Sequence, residues 1–219
     1  MDIFKRSCGI AHVMTTFVVV RHGETTWNHA KRLQGWAPAQ LNDNGRAQAV
    51  RLGATLTDGY DVDRVLSSDL TRTRETVEIL LDDLDAPVTF DSAWRERDLG
   101  VHQGLLQHQL ADRFPTYDLE QSGMDAAHRR PESGESLVDL QHRVLDQLRT
   151  TLAKCEPGET ILIVTHGGPI RVLLGDIKDQ NLETAITAHA QDNCAINEFA
   201  IDEMTEAVAI IRENESIQS

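Results

Sequence analysis

At 219 residues, with 40% hydrophobic and 26% charged side chains, the chain has the length and balance of one large globular domain. A formal charge of −14, carried with few lysines, leaves no basic stripe for nucleic acid, and no run reaches the ~18 apolar residues of a membrane span. Cys8, Cys155 and Cys194 lack CxxC or Cys/His ligand spacing, which excludes a structural zinc site and a disulfide framework and points to a reducing, cytoplasmic setting.

The acidity has two readings. One is an ordinary solvated surface; the other is adaptation to high salt, where carboxylates hold water and ions screen their repulsion. Residues 1–13 show no clear period and read as an extension, either a loose tail or a stretch ahead of a true start at Met14. A single domain is expected over 14–219.

Phe17-Val18-Val19-Val20 reads as a buried first strand, followed by a short helix around Thr25 to Ala30. After the Gln34-Gly35-Trp36 loop, Asn42 is placed to cap a helix over 43–57, with Ala47, Val50, Ala54 and Leu56 at helical spacing. Val62 to Leu66 reads as a second strand. Asp69 then caps a helix that turns Leu70, Val77, Leu80 and Leu81 inward. A third strand near Val88–Phe90 leads to Trp94-Arg95-Glu96, and a helix is expected over 105–113.

Ser133 to Ser136 opens a long amphipathic helix carrying Leu137, Leu140, Val144, Leu148 and Leu152. Ile161–Val164 is apolar on both faces, as a parallel strand requires. It runs through Thr165-His166-Gly167-Gly168 into another helix, and strands near 195–200 and 207–211 close the sheet. The alternation implies an α/β fold, a three-layer αβα sandwich on a mostly parallel sheet.

Two segments share one design. Val20-Arg21-His22-Gly23 and Val164-Thr165-His166-Gly167 each pass from buried strand through His-Gly into a helix start. Both set an imidazole beside unpaired amides at a sheet edge where anions and ligands bind. Arg21 adds a planar fork suited to phosphate oxygens, and a His among cationic donors can attack phosphorus as a neutral nucleophile. Ser68-Asp69-Leu70-Thr71-Arg72 supplies a second guanidinium from a helix's first turn, while Arg74 points elsewhere. Glu96 or Asp98 could supply acid–base chemistry.

In these motifs the chain resembles the histidine phosphatase superfamily, in its phosphoglycerate mutase-like branch with an Arg-His-Gly-Glu-Thr signature. The matching pieces are Arg21 to Asn28, Gln34-Gly35, Ser68 to Arg72, Glu96 with Gly100 and Gly104, Pro131 to Ser136, and His166-Gly167-Gly168. The resemblance implies that His22 is phosphorylated, that Arg21, Arg72 and His166 grip the transferred group, and that Asn28 and the Gly167 amide add hydrogen bonds. Glu96 would be the proton donor. It implies no metal, no cofactor, and a small phosphomonoester as substrate. The chain departs from the family at Trp36-Ala37-Pro38-Ala39-Gln40 and at His102-Gln103, both expected near the pocket mouth.

The leading expectation is a metal-independent phosphomonoesterase working through phospho-His22. The alternatives are a cofactor-dependent phosphoglycerate mutase and a phosphate- or phosphoprotein-binding module without turnover. Against the mutase, the stretch from Gly100 to Pro131 is shorter than the family's mutase insertion and lacks its Tyr-Gly and Leu-Asn-Lys elements. His102 and His108 are candidates for the mouth, His142 for the surface of the long helix, and His189 for no role. Arg171 reads as a helix brace through an ion pair, and Trp27 and Trp36 as packing residues.

Overall fold

A computed structural model describes residues 13–202, 204–205 and 207–217. The expectations for residues 1–12 therefore lie outside the described residues. Six strands form one sheet: β1 (Met14–Arg21), β2 (Arg64–Ser67), β3 (Val88–Phe90), β4 (Thr160–Thr165), β5 (Ile196–Asp202) and β6 (Val208–Glu215). Their spatial order is β3-β2-β4-β1-β5-β6. The first four are parallel, and β5 and β6 are antiparallel additions at one edge.

Successive residues of a strand face opposite sides, and the two central strands show it. Phe17, Val19, Ile161 and Ile163 pack against α6 (Leu137–Leu152) and α7 (Gly167–Ile177). Val18, Val20, Leu162 and Val164 pack against α2 (Asp43–Gly59) and α3 (Thr71–Leu80). Strands apolar on both faces thus give the three-layer αβα sandwich.

The long helix α6 forms as its sequence predicts. Ser136 and Asp139 make a reciprocal capping box, and Leu137, Leu140, Val144 and Leu148 are buried. Helix α2 is capped by Asn42 as expected, but its inward stripe differs. Gly45, Ala49, Leu52, Gly53 and Leu56 face the core, Ala47 and Ala54 are exposed, and Val50 is 56% exposed. Close approach is the reason, since a Cβ on Gly53 would sit 2.9 Å from the Asp83 carboxylate. Glycines mark that contact face, and a count of apolar residues passes over them.

Asp69 does not cap α3. The helix starts after Leu70, which has no capping side chain, and Asp69 grips Arg95 through two bonds of 2.5 and 2.6 Å. A bidentate guanidinium pair outcompetes a single amide. Leu81 lies beyond the helix's last turn and is exposed. Two helices that the sequence did not reveal complete the fold, α5 (Leu119–His128) and α8 (Leu182–Ala188), after α1 (Thr26–His29) and α4 (Gln107–Arg113). Among the described residues, no helix is long and apolar enough to cross a membrane.

Candidate active site

Strand register brings the two histidines together. β1 and β4 are neighbouring parallel strands with Arg21 opposite Thr165, so His22 and His166 emerge side by side at the carboxyl edge. Their rings lie 5.2 Å apart, tilted by 60°. β2 flanks β4 on its other side with Ser67 opposite Val164, which places Ser68 and the first turn of α3 beside both rings. Arg72 reaches inward from that turn and is 1% exposed. Arg74 instead stacks its guanidinium over the Phe90 ring, outside the site.

The partners of His22 define its proton. Nδ1 lies 2.7 Å from the Gly23 carbonyl, which can only accept, so Nδ1 carries the hydrogen. Nε2 then keeps a lone pair and accepts from Arg72 Nε at 3.1 Å. Burial and the charges of Arg72 and Arg21 hold the His22 pKa well below the usual imidazole range, although its bond to Gly23 opposes them. The ring is therefore neutral at physiological pH.

Arg72 is fixed by two further bonds, to the carbonyls of Gly35 (2.8 Å) and Ala37 (3.3 Å). Gly35 has a φ of +52°, and a Cβ there would come within 2.9 Å of the Leu99 amide nitrogen, so the carbonyl that holds Arg72 depends on glycine. Burial lowers the Arg72 pKa to about 10, with Glu96 opposing and Arg21 assisting, which leaves it cationic at neutral pH. Arg21 donates to the Gln191 carbonyl at 2.6 Å, and its buried Nε has no partner among the described residues.

His166 occupies the N-cap position of α7, with no capping bond from its ring, and is fully buried. Its Nε2 lies 2.8 Å from the Ser68 hydroxyl, while Nδ1 is buried with no partner among the described residues. Burial, then Arg72, His22 and Arg21, push its pKa well down.

Glu96 arrives from the segment after β3. Thr165 Oγ1 donates to the Trp94 carbonyl at 2.7 Å and draws that segment to the end of β4. The Glu96 carboxylate accepts from its neighbour's amide, Arg97 N–H, at 2.8 Å, and from the α7 amide of Gly168 at 3.1 Å. A Cβ on Gly168 would overlap the carboxylate at 2.1 Å, so only glycine admits it here.

These groups line a cleft of about 240 Å³ whose wall includes Arg21, His22, Asn28, Arg72, Glu96 and Gly167. Asn28 has its Oδ1 tied to Thr25 in the cap of α1, which leaves its Nδ2 amide to donate. The cleft thus brings together Arg21, His22, Asn28, Arg72, Glu96 and Gly167 of the residues singled out from the sequence; His166 stands beside His22 but off the cleft wall, and Asp98 is off it too, its carboxylate accepting from the Gly100 amide. Among the described residues, no cluster of His, Cys, Asp or Glu is arranged to hold a metal ion.

Residues 17–214 match the family model of the histidine phosphatase superfamily, branch 1. The chain belongs to that superfamily. It is 38% identical over 161 residues to phosphoglycerate mutase-like protein 4 of Arabidopsis thaliana, covering 71% of this chain and 68% of that one. It is 34% identical over 165 residues to the metal-independent phosphoserine phosphatase of the same plant, covering 73% and 67%. Among solved structures, Bacillus stearothermophilus YhfR superposes with a TM-score of 0.82 at 30% identity, over 92% of this chain and 97% of that one.

Several parts of this histidine phosphatase site were missed or misread in the sequence. Arg143 on α6 clamps the Glu135 carboxylate with two bonds of 3.0 and 2.7 Å, and donates to the carbonyls of Ala93, Arg95 and Glu96. Trp36 Nε1 donates to the Glu96 carbonyl at 2.7 Å, with Arg95 stacked over its ring. These residues position the backbone that carries Glu96. His102 is no mouth residue: it is buried between Phe114 and Tyr117, and the exposed His108 does not line the cleft. His142 is exposed, as expected.

Arg171 is no ion-pair brace. It lines the cleft, and its Nε donates to the His189 carbonyl at 2.7 Å. His189 therefore has a role, its ring pinned by Glu213 and Gln180 at 2.7 Å each.

Proposed function

We propose that the chain hydrolyses small phosphate monoesters without a metal, through a phosphohistidine on His22. The observation that carries this reading is the lone pair on His22 Nε2, held on a neutral ring at the wall of an arginine-lined cleft. In the first half-reaction Nε2 forms a bond to phosphorus and the ester P–O bond breaks. Glu96 gives a proton to the departing oxygen.

In the second half-reaction water attacks phospho-His22, Glu96 takes a proton from that water, and inorganic phosphate leaves as the N–P bond breaks. Arg21 and Arg72 balance the charge on the transferred group, and the Asn28 amide, the Gly167 N–H and the Nδ1 side of His166 add neutral hydrogen bonds. Phosphoryl transfer depends mainly on such positioning and electrostatics.

The relative named as phosphoglycerate mutase-like favours a second reading, in which the phosphoryl group passes to another hydroxyl rather than to water. Arg32 and Gln107 at the cleft are exposed, which supports access of water and hence hydrolysis. The test is phosphate release from p-nitrophenyl phosphate in EDTA, beside a coupled mutase assay with 3-phosphoglycerate. Read as kcat/KM, which reports the phosphorylation of His22, Glu96→Gln should slow poor leaving groups by ~10²–10⁴ and spare p-nitrophenyl phosphate. Equal slowing of both would remove Glu96 as proton donor.

A further inference from the structure

Four guanidinium groups line the cleft, those of Arg21, Arg32, Arg72 and Arg171, against the one carboxylate of Glu96. A phosphate monoester carries at most two negative charges, which Arg21 and Arg72 beside His22 already match. Arg32 and Arg171 are therefore in surplus for the phosphoryl group alone.

Neither of these two is consumed within the protein. The ion pairs of the described residues include no partner for either. Among the described residues, Arg171 spends only Nε, on the His189 carbonyl. Its Nη1 stands at the first turn of α7, 3.4 Å from where a Cβ on Gly167 would be. Arg21 Nε is 3.8 Å from that same point.

The two cations thus share a corner. Burial lowers the Arg21 pKa, Glu96 opposes it, and the Arg171 charge lowers it further. Such a like-charge pair is unfavourable until an anion lies between or beside it. At the mouth, Arg32 uses Nη1 on the Gly104 carbonyl at 2.8 Å, and its other nitrogens have no partner among the described residues.

We propose that the cleft selects phosphomonoesters that bear a second anionic group, a carboxylate or a further phosphate, which Arg171 binds with Arg32 at the mouth. The proposal rests on the phosphatase reading above. Arg171 is held for this task from behind: its anchoring carbonyl belongs to His189, whose two ring nitrogens are both engaged.

Three small esters test it: n-propyl phosphate, the same chain ending in a carboxylate (3-phosphonooxypropanoate), and propane-1,3-diol bisphosphate. Hydrogen bonds to charged groups contribute roughly 1.5–3 kcal/mol, so kcat/KM should favour at least one of the two esters with a second anionic group over propyl phosphate by ~10–100-fold. Arg171→Gln and Arg32→Gln should each lower that ratio, and the double variant should bring it near one. Arg171→Lys should keep part of it.

Equal kcat/KM for all three esters in the wild type would overturn the proposal. So would a loss in both variants shared equally by all esters, which is the signature of a mere structural brace. The same ratio, read as Kd by calorimetry on His22→Ala protein, separates this proposal from the reading it rests on. Selective, Arg171-dependent binding with no turnover in the wild type would leave the subsite standing and sink the phosphatase. Turnover without selectivity would do the reverse.

Discussion

The strand ends at His22 and His166 look alike in sequence and are built differently. His22 has a proton fixed on Nδ1, a lone pair on Nε2, and a place on the cleft wall. His166 lies off the wall, tied through Nε2 to Ser68, with Nδ1 unpartnered among the described residues. The residue after each His sets the difference. Gly23 turns its carbonyl back onto the His22 ring, whereas Gly167 starts a helix at once and leaves His166 at its N-cap position. Repetition of a motif at one sheet edge therefore does not mean repetition of a role: in the proposed mechanism one ring would bond phosphorus and the other would support it.

The largest effect should come from His22→Ala. It should abolish turnover and remove the acid-labile phosphate that a rapid quench traps on the wild type. Label recovered on residue 166 of the wild type would reverse the two roles. His166→Ala should slow phosphorylation by ~10²–10³, the cost of one transition-state donor, yet leave label on His22. Single-turnover quench experiments read both quantities.

Gly168→Ala sharpens the contrast from the third side of the site. The added methyl overlaps the Glu96 carboxylate, so kcat/KM, which reports the phosphorylation step, should fall ~10²-fold or more for poor leaving groups and less for activated esters. A uniform loss over a leaving-group series would mean that the methyl disturbs His166 and α7 instead.

The smallest effect is on stability. Both imidazoles stay neutral in the fold, with pKa values well below the ordinary 6.5 that they recover on unfolding. Below pH 6.5 the unfolded chain then binds more protons than the native one. Stability should be flat above that pH and fall as pH drops toward the depressed native values, by about 1.4 kcal/mol per unit for each ring. Urea melts from pH 7 down to 5 should show this slope, to which the buried His102, also lowered by burial, adds with the same sign, and His166→Gln should remove the share of one ring. An unchanged slope would mean that one ring already carries its charge in the native state.

Much of this arrangement was legible in the sequence because it is local. A strand apolar on both faces, followed by His-Gly, declares its own position at the sheet edge, and two of them declare a site. Arg72 was legible because a helix's first turn after a strand must look back over that edge. What supports Glu96 was not legible. Arg143 is 47 residues away along the chain from Glu96, on a helix whose other arginine, Arg149, is solvated. Nothing local marks one arginine of an amphipathic helix as a clamp on another segment's carbonyls. Asp69 and Trp36 were misjudged for the same reason: each has an adequate local use, and a distant partner offered a better one. The helices α5 and α8 are short and polar, and their buried residues are chiefly alanines and one leucine, too few for periodicity to emerge.

The bond from Arg72 to the lone pair of His22 has a consequence for timing. If His22 is the nucleophile proposed above, its attacking nitrogen is already held by Arg72, and that bond must lengthen before Nε2 can reach phosphorus. Arg72 keeps its hold on the Gly35 and Ala37 carbonyls, so the change is a small pivot of a guanidinium that stays in place. The anion to be attacked would itself draw the pivot, by competing for the same guanidinium.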